Sequence, residues 1–573
     1  MTASARLPVV LLWHLHQPQY RDALTGRYVL PWTYLHAIKD YVDMAAHLEA
    51  NSKARAVVNF TPVLIEQLEE LAARVGAHLA HAAPLPDPVL AMLADAPLPD
   101  GAERLALLRA CLRAHREHMI DRYPAYARLA KLAETFDAIE SIGDASDQYL
   151  RNLAVCYHLA WLGETVKRGD QRVAALLKHV GDFTPEQRRS LLELIGELLS
   201  GLLPRYRRLV DSGQCELSTS PYAHPILPLL LDFRTARESV PAAPLPHASA
   251  YPGGAERAAW HLQEALRVFK RVFGVTPAGC WPSEGAISAD TLTLIERHGW
   301  RWTASSESVL QNCLNGGSRA LTSGGGQPPS GGDVPAMQLY RVGGGRLNCL
   351  FRNDELSDLI GFTYSGWHGD DAVNNFVARL ERLAQAEGEH PGRLLLVALD
   401  GENAWDHYPF NGYYFLKGLY AALAEHPLLE LTTPSELLAR QPPATALPHV
   451  VAGSWVHGTL STWIGERDKN AGWDLLVEAK QAFDAVVASG RLSADDRLHA
   501  EHQLALCESS DWFWWLGDYI SYEAVRDFDW LYRHQLTSFY RLLGLAVPAS
   551  LAQPISIGRG APEACGVMRR AQP

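Results

Sequence analysis

The chain has 573 residues, a formal net charge of −12 and a hydrophobic fraction of 47%. That length suits two or three domains, or one large barrel with insertions. The acidic balance argues against a nucleic-acid partner and against an anionic membrane face, and it suits a neutral substrate.

Sixteen Trp and 21 Tyr are more than packing alone demands, and a surplus of flat aromatic faces fits ligands such as sugar rings. Eight cysteines, Cys565 the last of them, include no CxxC pair and no Cys/His cluster at zinc spacing. They read as buried thiols in a reducing compartment.

In chain order, "LPVVLLWHLHQPQYRD" (7–22) opens with a short apolar run but has no small-residue cleavage site, so it reads as the first strand of a cytoplasmic protein. No stretch approaches the roughly 18 apolar residues that cross a bilayer. Seven runs look like buried parallel strands, apolar on both faces and ending in polar or turn residues: 8–16, 55–60, 215–220, 278–283, 301–306, 347–353 and 394–400. Helical patterns separate most of them, as in "AAWHLQEALRVFKRVFG" (258–274). The fold class is α/β, a seven-stranded (β/α) barrel occupying residues 1–450. A barrel is favoured over an open sheet because polar residues gather at the C-terminal ends of the strands. A helical insertion covers about 64–211, the glycine-rich 315–333 is a loop, a C-terminal helical domain covers 451–545, and 546–573 is a disordered tail.

The polar strand ends carry the candidate chemistry. His14 and His16 alternate onto one face at the end of the first strand, followed by Gln17, and they point into the barrel mouth. "GQCELSTSPYAHPILPLL" (213–230) adds Glu216 and His224. "GCWPSEGAIS" (279–288) places Trp281 and then Glu284 at the fourth strand end, where a carboxylate is either a site residue or a first-turn helix charge. After strand six come Arg352 and Asp354. "LLLVALDGENAWDHYPFNG" (394–412) ends a very apolar strand at Asp400, with Trp405 and His407 just beyond. Apolar walls hold such a carboxyl protonated as an acid. "GSWVHGTLSTWIG" (453–465) contributes Trp455 and His457, and "ESSDWFWWLGD" (508–518) contributes Asp511 and Trp512.

Two carboxyls from different strands, facing across a Trp-lined mouth, are what glycosidic-bond cleavage needs. Two other readings use the same residues. One is a zinc hydrolase with His14, His16 and Asp400 as ligands. The other is a non-catalytic glucan-binding protein.

At this point the chain resembles glycoside hydrolase family 57. "HLHQP", "GQCELSTSPYAHPILPLL", "CWPSEGAIS", "ALDGENAWDHYP" and "ESSDWFWWLGD" are similar to that family's five motifs, in order, from about residue 8 to 545. The third and fourth look most like the amylopullulanase and α-amylase branch. The resemblance implies a seven-stranded barrel followed by a helical domain, and a retaining mechanism on α-glucans with no cofactor and no metal. It implies Glu284 as nucleophile and Asp400 as general acid/base. It also implies that His14, His16, Glu216, Asp354 and Asp511 line the subsites. The sequence shows neither a secretion signal nor extra C-terminal modules, so an intracellular role on glycogen or maltodextrin is expected.

Overall fold

The computed structural model describes residues 6–179, 181–316, 335–386 and 392–560. Its strands are β1 (Leu7–Leu15), β2 (Ala56–Phe60), β3 (Cys215–Thr219), β4 (Gly279–Cys280), β5 (Trp302–Ser306), β6 (Tyr340–Val342), β7 (Asn348–Arg352), β8 (Leu395–Asp400), β9 (Leu429–Leu431) and β10 (Thr445–Leu447). The neighbours β1, β2, β3, β4, β5, β7 and β8 are all parallel, and β8 pairs back onto β1. The result is a closed seven-stranded barrel whose strands match the seven apolar runs. Two short strands extend the ladder outside it: β6 runs antiparallel to β7, and β10 runs parallel to β6. β9 pairs with the start of β1.

Burial on both faces follows from alternation along each strand. On β1, Val10 and Leu12 join the barrel interior with Val57, Leu350, Leu396 and Ala398, while Val9, Leu11, Trp13 and Leu15 pack outward against helices. Trp302 fills the interior so closely that a Cβ on Gly279 would fall 2.0 Å from its ring. The bottom is stoppered by the helix Pro434–Ala439, whose Leu437 joins the interior cluster. Apart from Glu216 near the foot of β3, the polar side chains taken up below gather at the upper mouth, where the strands end.

Between β2 and β3 the chain is helical, with long helices at Pro62–His81 and Pro185–Asp211. The helical pattern quoted after β3 forms Gly254–Phe273 and stops at Gly274, whose φ of 66° only glycine adopts cheaply. After the barrel come Arg467–Ala488, Ala494–Cys507, Ser510–Trp515 and Tyr522–Leu542.

The tail expected to be disordered from 546 is instead packed as far as Gly560. Leu551 is buried, and the Asp529 carboxylate accepts the backbone N–H groups of Ile555 and Ser556. Composition missed this because the anchor, Asp529, lies on the preceding helix and not in the tail itself. Most of the loop expected at 315–333, and the last 13 residues with Cys565, lie outside the described residues. The other seven cysteines are free and buried. Among the described residues no helix is long and apolar enough to cross a membrane.

Candidate active site

The upper mouth opens into a cavity of about 1290 Å³, beyond the roughly 300–1,000 Å³ of an ordinary small-molecule pocket. Its floor is built by strand register: Asp400 lies beside His14, His14 beside Asn59, and Asn59 beside Ser218. Asn59 donates to Ser218 Oγ (3.0 Å), and its Oδ1 accepts from Ser220 (2.9 Å). That same Oδ1 lies 2.8 Å from His14 Nδ1, so His14 donates through Nδ1 and its Nε2 is unprotonated. Burial, reinforced by His16, lowers the His14 pKa to about 3.

Three imidazoles stack above this floor. His16 and His224 have ring centroids 3.9 Å apart, and His14 and His224 5.1 Å. His224 is held neutral, first by burial and then by the two other rings. Its Nδ1 meets Ser510 Oγ at 2.9 Å, its backbone carbonyl accepts from Ser510 N–H, and its Nε2 is buried without a protein partner. His16 Nε2 meets both oxygens of Asp511, at 2.9 and 3.0 Å.

The two carboxyls reach the cavity by different routes. Asp400 is the last residue of β8, and a Cβ on the next residue, Gly401, would strike Leu15 at 2.3 Å. Asn403 donates to Asp400 Oδ2 at 2.9 Å. Glu284 stands four residues past the end of β4, in a turn closed by Gly285 N–H to Pro282 C=O. Its backbone is left-handed, φ 58° and ψ 23°, which costs a non-glycine residue about 1 kcal/mol or more. It is not a helix cap; Ser288 caps the following helix. Trp455 Nε1–H donates to Glu284 Oε2 at 2.9 Å, and Ser510 donates to Oε1 at 3.4 Å. Burial and then the Asp400 charge push the Glu284 carboxyl up to about 8. Burial raises Asp400 to about 6 against the donation from Asn403. The pair therefore holds one proton between these values.

The C-terminal helices complete the site. The break between Ala494–Cys507 and Ser510–Trp515 is fixed by Glu508, which accepts from Tyr251, Arg257 and His261 in a fully buried cluster. Arg257 and His261 hold its carboxyl down to about 2 in spite of burial. This anchors Ser510 and Asp511 over the histidine stack.

The sequence model of Glycosyl hydrolase family 57 matches residues 10–448. The chain belongs to glycosyl hydrolase family 57. Membership makes it a glycosidase or glycosyl-transferring enzyme. Its structure is similar to a GH57 branching enzyme from the hyperthermophilic archaeon Thermococcus kodakaraensis (15% identity, 94% of this chain and 90% of that one, TM-score 0.58). It is also similar to a GH57-type branching enzyme from Pyrococcus horikoshii (15%, 94% and 89%, 0.56) and to the α-amylase AmyC from Thermotoga maritima (13%, 94% and 93%, 0.55). These likenesses show a shared family 57 fold.

Of the residues picked from sequence, His14, His16, Gln17, His224, Glu284, Arg352, Asp400, His407, Trp455 and Asp511 line the cavity. Six do not. Glu216 sits one layer down, near the foot of β3, where it accepts from Trp302 Nε1–H and from Ser435 N–H and O–H in the bottom stopper. Asp354 is buried behind Arg352, accepting from its Nε and from Ser308, and so aims the guanidinium rather than meeting a ligand. Trp281 is buried beneath Trp455 and His14. Trp405 is buried and donates to Gly401 C=O, bracing the turn after Asp400. Trp512 is buried against Tyr532 and is turned away from the cavity that Asp511 lines. His457 is exposed, away from the cavity lining.

The family 57 cavity also uses residues that sequence reasoning passed over. Glu402 is buried, accepts from His16 N–H and Gln17, and leaves Oε2 without a protein partner. It lies two residues past the end of β8, in the same polar turn as Asp400. Trp514 and Trp515 share a helix face with Asp511 at i+3 and i+4, a signal that was readable. Trp32, His36, His115 and Trp161 arrive from the long connections and have no local signal.

Among the described residues, one trio of metal-ligating side chains comes together, His16, His224 and Asp511, with ligand atoms within 4.8 Å of one another. The zinc set His14, His16 and Asp400 is not formed. The trio fits a metal poorly. A ring nitrogen's lone pair lies in the ring plane, and these two rings lie stacked at 26°, so their lone pairs run side by side instead of converging.

Proposed function

We propose that this family 57 chain is a retaining enzyme of α-glucans, with Glu284 as nucleophile and Asp400 as general acid/base. The observation that carries the reading is the pair of half-buried carboxyls from different strand ends, electrostatically coupled and opening on one aromatic-lined cavity. Glu284 attacks the anomeric carbon as Asp400 gives its proton to the departing glycosidic oxygen, leaving a β-glycosyl ester on Glu284. Asp400 then takes a proton from the incoming acceptor, water in hydrolysis or a sugar hydroxyl in transfer, and the ester is displaced with overall retention.

Donors to both Glu284 oxygens, from Trp455 and Ser510, suit an ionised nucleophile. Arg352, which lies over the Trp455 ring and is aimed by Asp354, is a sugar-hydroxyl donor in this reading. His14 offers an unprotonated Nε2 as an acceptor. The names of similar structures include both hydrolysing and transferring enzymes, and we favour hydrolysis of the α-amylase or amylopullulanase type, at α-1,4 and α-1,6 linkages. Seven buried free thiols suit an intracellular, cytoplasmic setting, with glycogen or maltodextrin as substrate.

One observation favours a second reading. In the empty cavity the higher pKa belongs to Glu284, about 8 against about 6, which puts the shared proton on the proposed nucleophile. The reverse assignment, Asp400 attacking and Glu284 protonating, follows from that order taken alone. Azide rescue of Glu284→Ala and Asp400→Ala on an activated α-glucoside separates the two. Azide replacing the nucleophile gives the β-glucosyl azide, and azide opening the glycosyl-enzyme gives the α-anomer. We expect β from Glu284→Ala and α from Asp400→Ala; swapped anomers install the reverse assignment, and full activity in either variant removes both.

A further inference from the structure

A second cavity, of about 840 Å³, adjoins the first. Its wall on one side is an apolar stretch of the helical insertion between residues 87 and 110. The opposite wall is one face of the helix Tyr522–Leu542, carrying Tyr522, Arg526, Trp530 and Arg533 at spacings of four, four and three. The ordered tail closes its end. Leu30, Arg113, Arg526 and Asp527 line both cavities, so the two spaces adjoin at a polar bridge beside one leucine. There Asp527 Oδ2 accepts from Arg113 at 2.9 Å, and its Oδ1 accepts from Arg526 at 2.9 and 3.0 Å.

Beyond the bridge, two large aromatic side chains stay exposed: Trp530 at 41% and Tyr522 at 52%. Trp530 is stiffened on one face by the His534 imidazole, whose ring lies 4.7 Å away at 12°. His534 is itself held by Asp22 at 2.9 Å. An indole braced on one face and open in a groove is a stacking platform. Such platforms recognise ligands with a flat apolar face and a polar rim, which is the shape of a pyranose ring. The bridge supplies planar guanidinium donors and a carboxylate acceptor at the height where hydroxyl groups would pass.

Resting on the α-glucan reading above, we propose that this groove binds the same polymer: a glucan chain leaves the catalytic cavity across the Arg113–Asp527–Arg526 bridge and stacks on Trp530 and Tyr522. The groove is thus a distal extension that favours long chains over short ones. A peptide has no need to adjoin the catalytic cavity, and the side chains that the two cavities share are what favour a glucan as occupant.

The test compares kcat/KM on amylose and on maltotriose for the wild-type chain, Trp530→Ala and Trp530→Phe. Loss of one stacking platform should lower the amylose-to-maltotriose preference about tenfold in Trp530→Ala, and Trp530→Phe should restore most of it. An unchanged preference overturns the proposal. So does a solution mass showing a dimer that Trp530→Ala splits, since the face would then belong to a second copy of this chain. Retardation in an amylose-containing native gel reads binding without turnover. If the wild type turns over neither glucan, the reading of the catalytic site falls, and the gel decides the groove by itself: retardation that Trp530→Ala abolishes sustains it, and none removes it.

Discussion

Trp455 donates its indole N–H to Glu284 Oε2 at 2.9 Å from a loop 171 residues further along the chain. This is the shortest of the two donations that the carboxylate receives, the other coming from Ser510 at 3.4 Å. Hydrogen bonds to an ionised group favour that form. Trp455→Phe keeps the ring over Trp281 but removes the donor. We expect kcat/KM on maltoheptaose to fall about ten- to a hundredfold with the thermal midpoint little changed. A rate equal to wild type would detach Trp455 from the chemistry.

The same carboxyl pair sets the pH profile. Raised values of about 6 for Asp400 and about 8 for Glu284 leave one proton between them in that window. Below it both are protonated and no nucleophile remains; above it both are ionised and no acid remains. A bell-shaped kcat/KM with limbs near these two values is expected, each limb belonging to the pair. A profile flat across the window would contradict the coupling.

Stability should respond in the opposite sense to that of most carboxyls. Glu284 keeps its proton in the folded chain up to about pH 8, whereas an unfolded glutamate releases it near 4.5. Across that interval the folded state binds more protons, so this group's contribution declines as pH rises. Glu284→Gln removes the decline. Its melting point should exceed that of the wild type by a margin that widens from pH 5 to pH 8, read by calorimetry; a margin independent of pH would refute the assignment.

Glu508 behaves conversely. Arg257 and His261 hold it at about 2, so its stabilising contribution is present above the ordinary carboxyl range and is lost as pH falls towards that value. Glu508→Gln breaks a fully buried cluster and should cost about 3–5 kcal/mol at neutral pH. In denaturant titrations the deficit should shrink on acidification. Because the cluster seats Ser510 and Asp511, activity should fall with it.

Dialysis against a chelator addresses the histidine trio. Stacked imidazoles do not converge their lone pairs, so the turnover of the enzyme as purified should survive chelation unchanged. Loss of activity restored by zinc would revive the metal reading.

The barrel was legible in the sequence because a strand buried on both faces announces itself as a continuous apolar run, and all seven runs became barrel strands. The strand ends were legible for the same reason: His14, His16 and Asp400 follow directly from alternation along an already located strand. What could not be read was direction and depth. Glu216 and Asp354 stand in polar motifs beside the cavity, yet one braces the barrel floor and the other aims an arginine. Trp405 and Trp512 point away from it, and only the helix period would have exchanged Trp512 for Trp514 and Trp515. Trp32 and Trp161 reach the cavity through tertiary packing of long connections, which no local pattern encodes.

His16 finds its partner in Asp511, 495 positions downstream, three residues past the buried Glu508 cluster. During synthesis every barrel strand, the last ending at Asp400, emerges from the ribosome ahead of the segment Ser510–Trp515 that finishes the cleft. A chain that stops short of Ser510–Trp515 thus carries the acidic pair without the groups that surround it.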